Sequence, residues 1–131
     1  MTPKGKDTLL LLFAKKRYTE ETIYLIDSGS KIFDVDYEGN TVLHYATLNK
    51  EYVTCIRILD DRTSSPFRMY RWLNNGGYTV LHLSIINRSP FVELYMRDNN
   101  HEVSTRDGKT CLQIAEEYYP EVRELFVVQA F

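Results

Sequence analysis

The chain has 131 residues, 44% of them hydrophobic and 26% charged, and its 16 Lys and Arg against 18 Asp and Glu leave a formal net charge of −2. Those bounds fit one compact domain with a single core and exclude the strong basic field that draws proteins to nucleic acid or to anionic membranes. The longest apolar run, Leu9 to Ala14, runs straight into Lys15, Lys16 and Arg17; it is too short for a membrane span and its charge lies on the wrong side for a secretory signal, so the chain is expected to work inside a cell.

The elements fall in pairs along the chain. Thr8 can cap a helix over 8–16, and a partner helix over 20–28 should stop at Asp27-Ser28-Gly29-Ser30. That tetrapeptide has some of the shape of a phosphorylation-dependent destruction signal, but its second Ser comes too early, and a Gly placed to close a helix is the reading preferred here. Asp36-Tyr37-Glu38-Gly39 supplies turn chemistry, after which Thr41 caps a helix over 41–48 with Leu43, Ala46 and Thr47 on one face. Val53, Ile56 and Leu59, at three-residue steps, are read as the inward side of a partner helix over 52–60.

An insertion over 60–74 follows, holding the only Trp of the chain, Trp72, with Phe67, Arg68, Met69, Tyr70 and Arg71 just before it. Trp, Tyr and Arg are the types enriched at binding hot spots; alternatively Phe67, Met69 and Trp72 fold back as a short helix over the stack. Helix pairs are then expected at 79–86 with 90–97 and at 110–118 with 121–129, and Pro90 and Pro120 suit the first turn of the second helix in each pair. The chain finishes on apolar residues: Phe126 is expected to tuck under the last pair, while Val128 and Phe131 could form a patch for a second copy of the chain or for another partner.

These pairs are copies of one unit. Gly39-Asn40-Thr41-Val42-Leu43-His44 returns as Gly77-Tyr78-Thr79-Val80-Leu81-His82, more weakly as Gly108-Lys109-Thr110-Cys111-Leu112-Gln113, and in degenerate form as Thr8-Leu9-Leu10-Leu11-Leu12-Phe13-Ala14. Thr8, Thr41, Thr79 and Thr110 lie 33, 38 and 31 residues apart. The motif and its period of about 33 residues resemble those of ankyrin-repeat proteins. The resemblance covers nearly the whole chain and implies an all-α solenoid of about four helix-turn-helix repeats with β-turn fingers. As a single ankyrin-repeat domain, 1–131, it divides into repeats at about 4–37, 38–75, 76–106 and 107–131. It also implies that Thr41, His44, Thr79 and His82 are structural, each imidazole bonding toward the neighbouring repeat.

No catalytic chemistry is legible. His44 and His82 are taken by the repeat motif, His101 lies in an expected loop beside Asn99 and Asn100, and Cys55 and Cys111 sit in apolar segments as buried, reduced thiols. No phosphate-binding Gly loop, carboxylate pair or metal-ligand spacing is present, so neither cofactor nor metal is expected. The glycosylation triplet Asn87-Arg88-Ser89 is followed directly by Pro90 and is discounted.

The stretch Gly39 to Ser84, with its two Thr-x-Leu-His copies set apart by Ser-Ser-Pro-Phe-Arg-Met-Tyr, further resembles the middle repeats of IκB proteins, where the same spacing is lengthened. With about four repeats and neither an N-terminal degron nor an acidic tail, it is similar to the short viral IκB-like ankyrin proteins, the vankyrins of polydnaviruses. That resemblance implies a constitutive inhibitor of Rel/NF-κB dimers in the cytoplasm of a host cell, with passive entry into the nucleus open to so small a chain, and no direct contact with nucleic acid or membrane. An ankyrin adaptor for an unrelated partner, such as a host-range factor or effector, and a self-assembling piece are the alternatives. Ankyrin ligands usually meet finger tips and the exposed side of the first helices. The candidate contacts by motif position are Tyr37, Glu38, Asn40, Leu48 and Asn49, then Asn75, Tyr78, Ile86 and Asn87, then Arg106, Asp107 and Lys109, joined by Arg68, Tyr70, Arg71 and Trp72 of the insertion.

Overall fold

The computed structural model of the chain describes residues 8–59, 72–96 and 103–126. Four helical pairs follow one another: α1 (Leu9–Lys15) and α2 (Thr19–Asp27), α3 (Val42–Leu48) and α4 (Tyr52–Leu59), α5 (Val80–Ile86) and α6 (Val92–Met96), then α7 (Cys111–Tyr118) and a 3-10 helix (Pro120–Phe126). There is no strand among the described residues. The first helices stack in the order α1, α3, α5, α7, and α2 packs on α4.

Each first helix begins at its threonine because Thr8, Thr41, Thr79 and Thr110 turn their hydroxyls onto the backbone N–H three residues on. In the last three the residue at that third position, His44, His82 or Gln113, reaches back to accept from the threonine N–H, closing a reciprocal capping box. The first three of these helices end alike. Arg17, Lys50 and Arg88 adopt φ of 65°, 58° and 57°, and the chain closes with paired bonds such as Lys50 N to Thr47 O at 3.2 Å and Glu51 N to Ala46 O at 2.8 Å, the Schellman pattern. Helix α2 ends by the same device, with Gly29 at φ 97° and Ser30 N bonded to Leu25 O, so Asp27-Ser28-Gly29-Ser30 is a helix stop.

The core is one continuous cluster running the length of the stack, from Leu10 and Leu11 through Leu43, Ile58, Leu81, Ile85 and Tyr95 to Ile114 and Phe126. Stacking is what buries it, since one short pair has no second layer of its own. One pair of buried polar groups is bonded across repeats: Thr47 Oγ1 and Tyr95 OH are 2.9 Å apart, both residues almost wholly buried.

The inward stripe of α4 differs from the three-residue pattern. Val53 and Ile56 are exposed, at 59% and 49%, and Thr54, Cys55 and Ile58 are buried. Thr54 lies beside Ala14, Thr22 and Ala46 at the contact between the first two repeats.

At the C-terminal end Phe126 is buried as expected, in a 3-10 rather than an α-helical segment. Val128 and Phe131 lie outside the described residues.

Candidate protein-binding surface

Three fingers of the same design precede α3, α5 and α7. In the first, Asp36 N donates to Asn40 O and Gly39 N to Asp36 O; Asn74 to Tyr78 and Thr105 to Lys109 repeat both bonds at 2.9–3.0 Å. The residue opening each finger, Asp36, Asn74 or Thr105, is buried and turns a side-chain oxygen onto the N–H of the finger's last residue, at 3.0–3.1 Å. That local bond mimics a backbone turn and holds the tip rigid. The fingers also nest closely. A Cβ on Gly39 would lie 2.7 Å from Asn75 Oδ1 and one on Gly77 2.6 Å from Arg106 Cβ, and both glycines have positive φ, so no larger residue fits.

Two ladders join neighbouring repeats, and they occupy many of the candidate contacts. On the finger side Asn75 N donates to Glu38 O at 2.9 Å and Asn75 Nδ2 to Tyr37 O at 2.7 Å. One repeat further on, Arg106 donates to Asn75 O at 2.7 Å and Asn74 O at 3.2 Å. On the helix side Asn49 Nδ2 donates to Ala14 O at 3.1 Å, and Asn87 Nδ2 to Leu48 O at 3.2 Å. Asn40 is a correction to the expected surface: it is buried, and its Oδ1 accepts from Asn74 Nδ2 at 2.8 Å. These short amides and the arginine work as staples between repeats.

Both motif histidines bond from one repeat to the next. A main-chain N–H can only donate, so the bonds from Thr41 N and Thr79 N make Nδ1 the bare nitrogen of His44 and His82. Nε2 then carries the proton and donates onward, to Tyr78 O at 3.3 Å and Val103 O at 2.7 Å. Burial holds His44 down at about 4 and lowers His82 as well, so both stay neutral near neutral pH. Burial likewise pushes the thiol of Cys111 up to about 12 and raises that of Cys55, which leaves both inert.

What remains open to a partner is narrower than the expected set. Tyr37 projects from the first finger with 66% of its surface exposed. Glu38 is exposed and faces Lys15 at 4.0 Å, while accepting a bond from Tyr45 OH at 3.0 Å. Tyr45 is itself buried and also donates to Asp36, and its hydroxyl is held well above its usual range, first by burial and then by that carboxylate. Tyr78 is half-buried with its ring edge-on to His82, and Asp107 and Lys109 are exposed, the latter 3.6 Å from Glu117. Trp72 is 39% exposed: its indole N–H donates to Gly39 O at 2.9 Å and its ring stands edge-on to Phe33, so it covers the first finger as much as it faces solvent. Arg68, Tyr70 and Arg71, with Phe67, Met69 and His101, lie outside the described residues.

One row stands out along the first helices. The residue seven places after each capping threonine is Lys15, Leu48, Ile86 and Glu117 in turn. Lys15 and Glu117 are exposed, Leu48 is 37% exposed and Ile86 is half-buried. The row therefore runs from a cation through an exposed and a half-buried aliphatic side chain to an anion. No group of three or more His, Cys, Asp or Glu among the described residues could hold a metal ion, and no described helix is long and apolar enough to cross a membrane.

No protein-family model and no curated protein matches the sequence. Among solved structures, an ankyrin repeat domain from Acinetobacter baumannii AYE superposes on the chain with a TM-score of 0.75 at 22% identity, over 93% of this chain and 64% of that one. The chain thus spans about two thirds of the length of that neighbour, and its fold is the ankyrin-repeat solenoid.

Proposed function

We propose that this ankyrin-repeat domain binds a partner protein and catalyses no reaction, and that the partner is a Rel/NF-κB dimer which it holds inactive inside the cell. The observation that carries the first part is the row Lys15, Leu48, Ile86, Glu117. An exposed and a half-buried aliphatic side chain, Leu48 and Ile86, stand at equivalent places on a hydrogen-bonded scaffold, with opposite charges at either end. An apolar centre inside a polar rim is how binding patches are built, and a rigid surface loses little conformational freedom on association. The choice of partner is supported by the resemblance of Gly39 to Ser84 to the middle repeats of IκB proteins and by the 38 residues between Thr41 and Thr79. Such an inhibitor would suppress Rel-driven immune signalling.

The test is an equilibrium titration of the purified chain against a panel of Rel-homology-domain dimers. Sub-micromolar binding that competes with κB-site DNA is the expected result. A folded sample that binds none of the dimers would overturn the Rel reading and leave a protein-binding domain with a different partner.

A further inference from the structure

The two ends of the solenoid are unlike. Counting from each capping threonine, the second, third and sixth residues face the next repeat, and they are buried in the first three repeats, as Leu43, His44 and Thr47 show for the second. In the last repeat these places hold Leu112, Gln113 and Glu116; the latter two are exposed, and Glu116 faces Arg123 at 3.9 Å. The described part of the C-terminal end is thus polar, as a terminal repeat requires.

The N-terminal end is not. The residue directly after the threonine faces the preceding repeat, and Val42, Val80 and Cys111 are 0%, 0% and 1% exposed there, whereas Leu9 of the first repeat is 55% exposed. Phe13 takes the place held by Ala46, Ser84 and Ala115. With Leu25 and Tyr24, the latter 70% exposed, they line an apolar groove of about 420 Å³.

We propose that this face is a docking surface for a second copy of the chain, forming a two-fold dimer in which α1 of each copy lies on α2 of the other. Charge complementarity selects this occupant. Leu9, Phe13 and Lys16 follow at helical spacing along one side of α1, so the face is apolar where α1 begins and cationic where it ends. Helix α2 runs back antiparallel, bringing exposed Glu20 and Glu21 to the cationic end of the face and Tyr24 and Leu25 to the apolar end. A two-fold axis along the helices sets Lys16 of one copy opposite Glu20 and Glu21 of the other, twice over, and lays Leu9 and Phe13 on the other copy's Tyr24 and Leu25. None of the ion pairs among the described residues uses Lys16, Glu20 or Glu21.

Sedimentation of the full chain to millimolar concentration should show the mass rising from 15.4 kDa to twice that value. Lys16→Glu alone, and Glu20→Lys with Glu21→Lys alone, should each weaken association at least about ten-fold, while an equimolar mixture of the two variants should associate again, because only the mixed dimer restores both sets of pairs. Tyr24→Asp should abolish association in any mixture, and far-UV circular dichroism of each variant should match the wild type. A wild type that stays at 15.4 kDa throughout, a dimer indifferent to these substitutions, or a mixture that fails to reassociate would overturn the proposal.

Discussion

The imidazole of His44 leaves its own repeat and donates from Nε2 to the main-chain oxygen of Tyr78, 3.3 Å away and 34 residues on in sequence. The same ring accepts from Thr41 N through Nδ1, so one neutral side chain caps its own helix and anchors the next finger. Protonating Nδ1 would destroy the capping bond and bury a charge.

Stability should therefore fall on mild acidification. The folded-state value of His44 lies near 4 and that of His82 is also lowered, both beneath the ordinary 6.5. Well above pH 6.5 neither histidine is charged in either state and their contribution is whole. As pH falls through 6.5 the unfolded chain takes up protons that the folded one refuses, and stability is lost at up to about 1.4 kcal/mol per pH unit for each histidine, for His44 down to about pH 4. Urea unfolding between pH 7 and 4 measures this, and His44→Gln should flatten the profile while lowering stability at pH 7.

The hydroxyl of Thr54 is buried with no hydrogen-bond partner among the described residues. Thr54→Val keeps the shape and removes the unpaired group, so it should raise stability by about 1 kcal/mol, read as a higher urea midpoint at unchanged slope. A lower midpoint would mean that the hydroxyl is satisfied after all.

Lys50 and Arg88 both close a first helix in the left-handed region, at φ 58° and 57°. A β-carbon there costs about 1 kcal/mol, so Lys50→Gly should raise the melting temperature. Arg88→Gly should show no such gain. Its guanidinium bonds Tyr118 O at 3.2 Å and Glu121 at 2.9 Å and lies 4.8 Å from the Tyr119 ring centre, contacts between the third and fourth repeats that glycine would remove.

Much of the fold was legible because the repeat writes its rules locally. A threonine followed three places later by His or Gln marks each capping box within one turn, and Thr41, Thr79 and Thr110 all behave so. The surface was less legible. Asn49, Asn75, Asn87 and Arg106 read as adaptable contact residues but bond to carbonyls 31 to 39 residues away, and nothing local signals a partner at that distance. On α4 the three-residue step picks the wrong side: Thr54, Cys55 and Ile58 are buried, while Val53 and Ile56 face out. The exposed end face was in principle readable: Leu9 occupies the place of Val42 and Val80 but has no described repeat before it to cover it.

The measurement that bears most directly on a binding role for the solenoid is the affinity of a Leu48→Glu, Ile86→Glu double variant for Rel-homology-domain dimers, titrated beside the wild type with unfolding curves for both. Leu48 is exposed and Ile86 is half-buried against the core, so the unfolding curves separate lost stability from lost contact; in the folded variant the affinity should fall at least about 100-fold, as central apolar contacts do when replaced by charge. Equal affinities for a folded variant and the wild type would contradict the placement of the binding surface on this row.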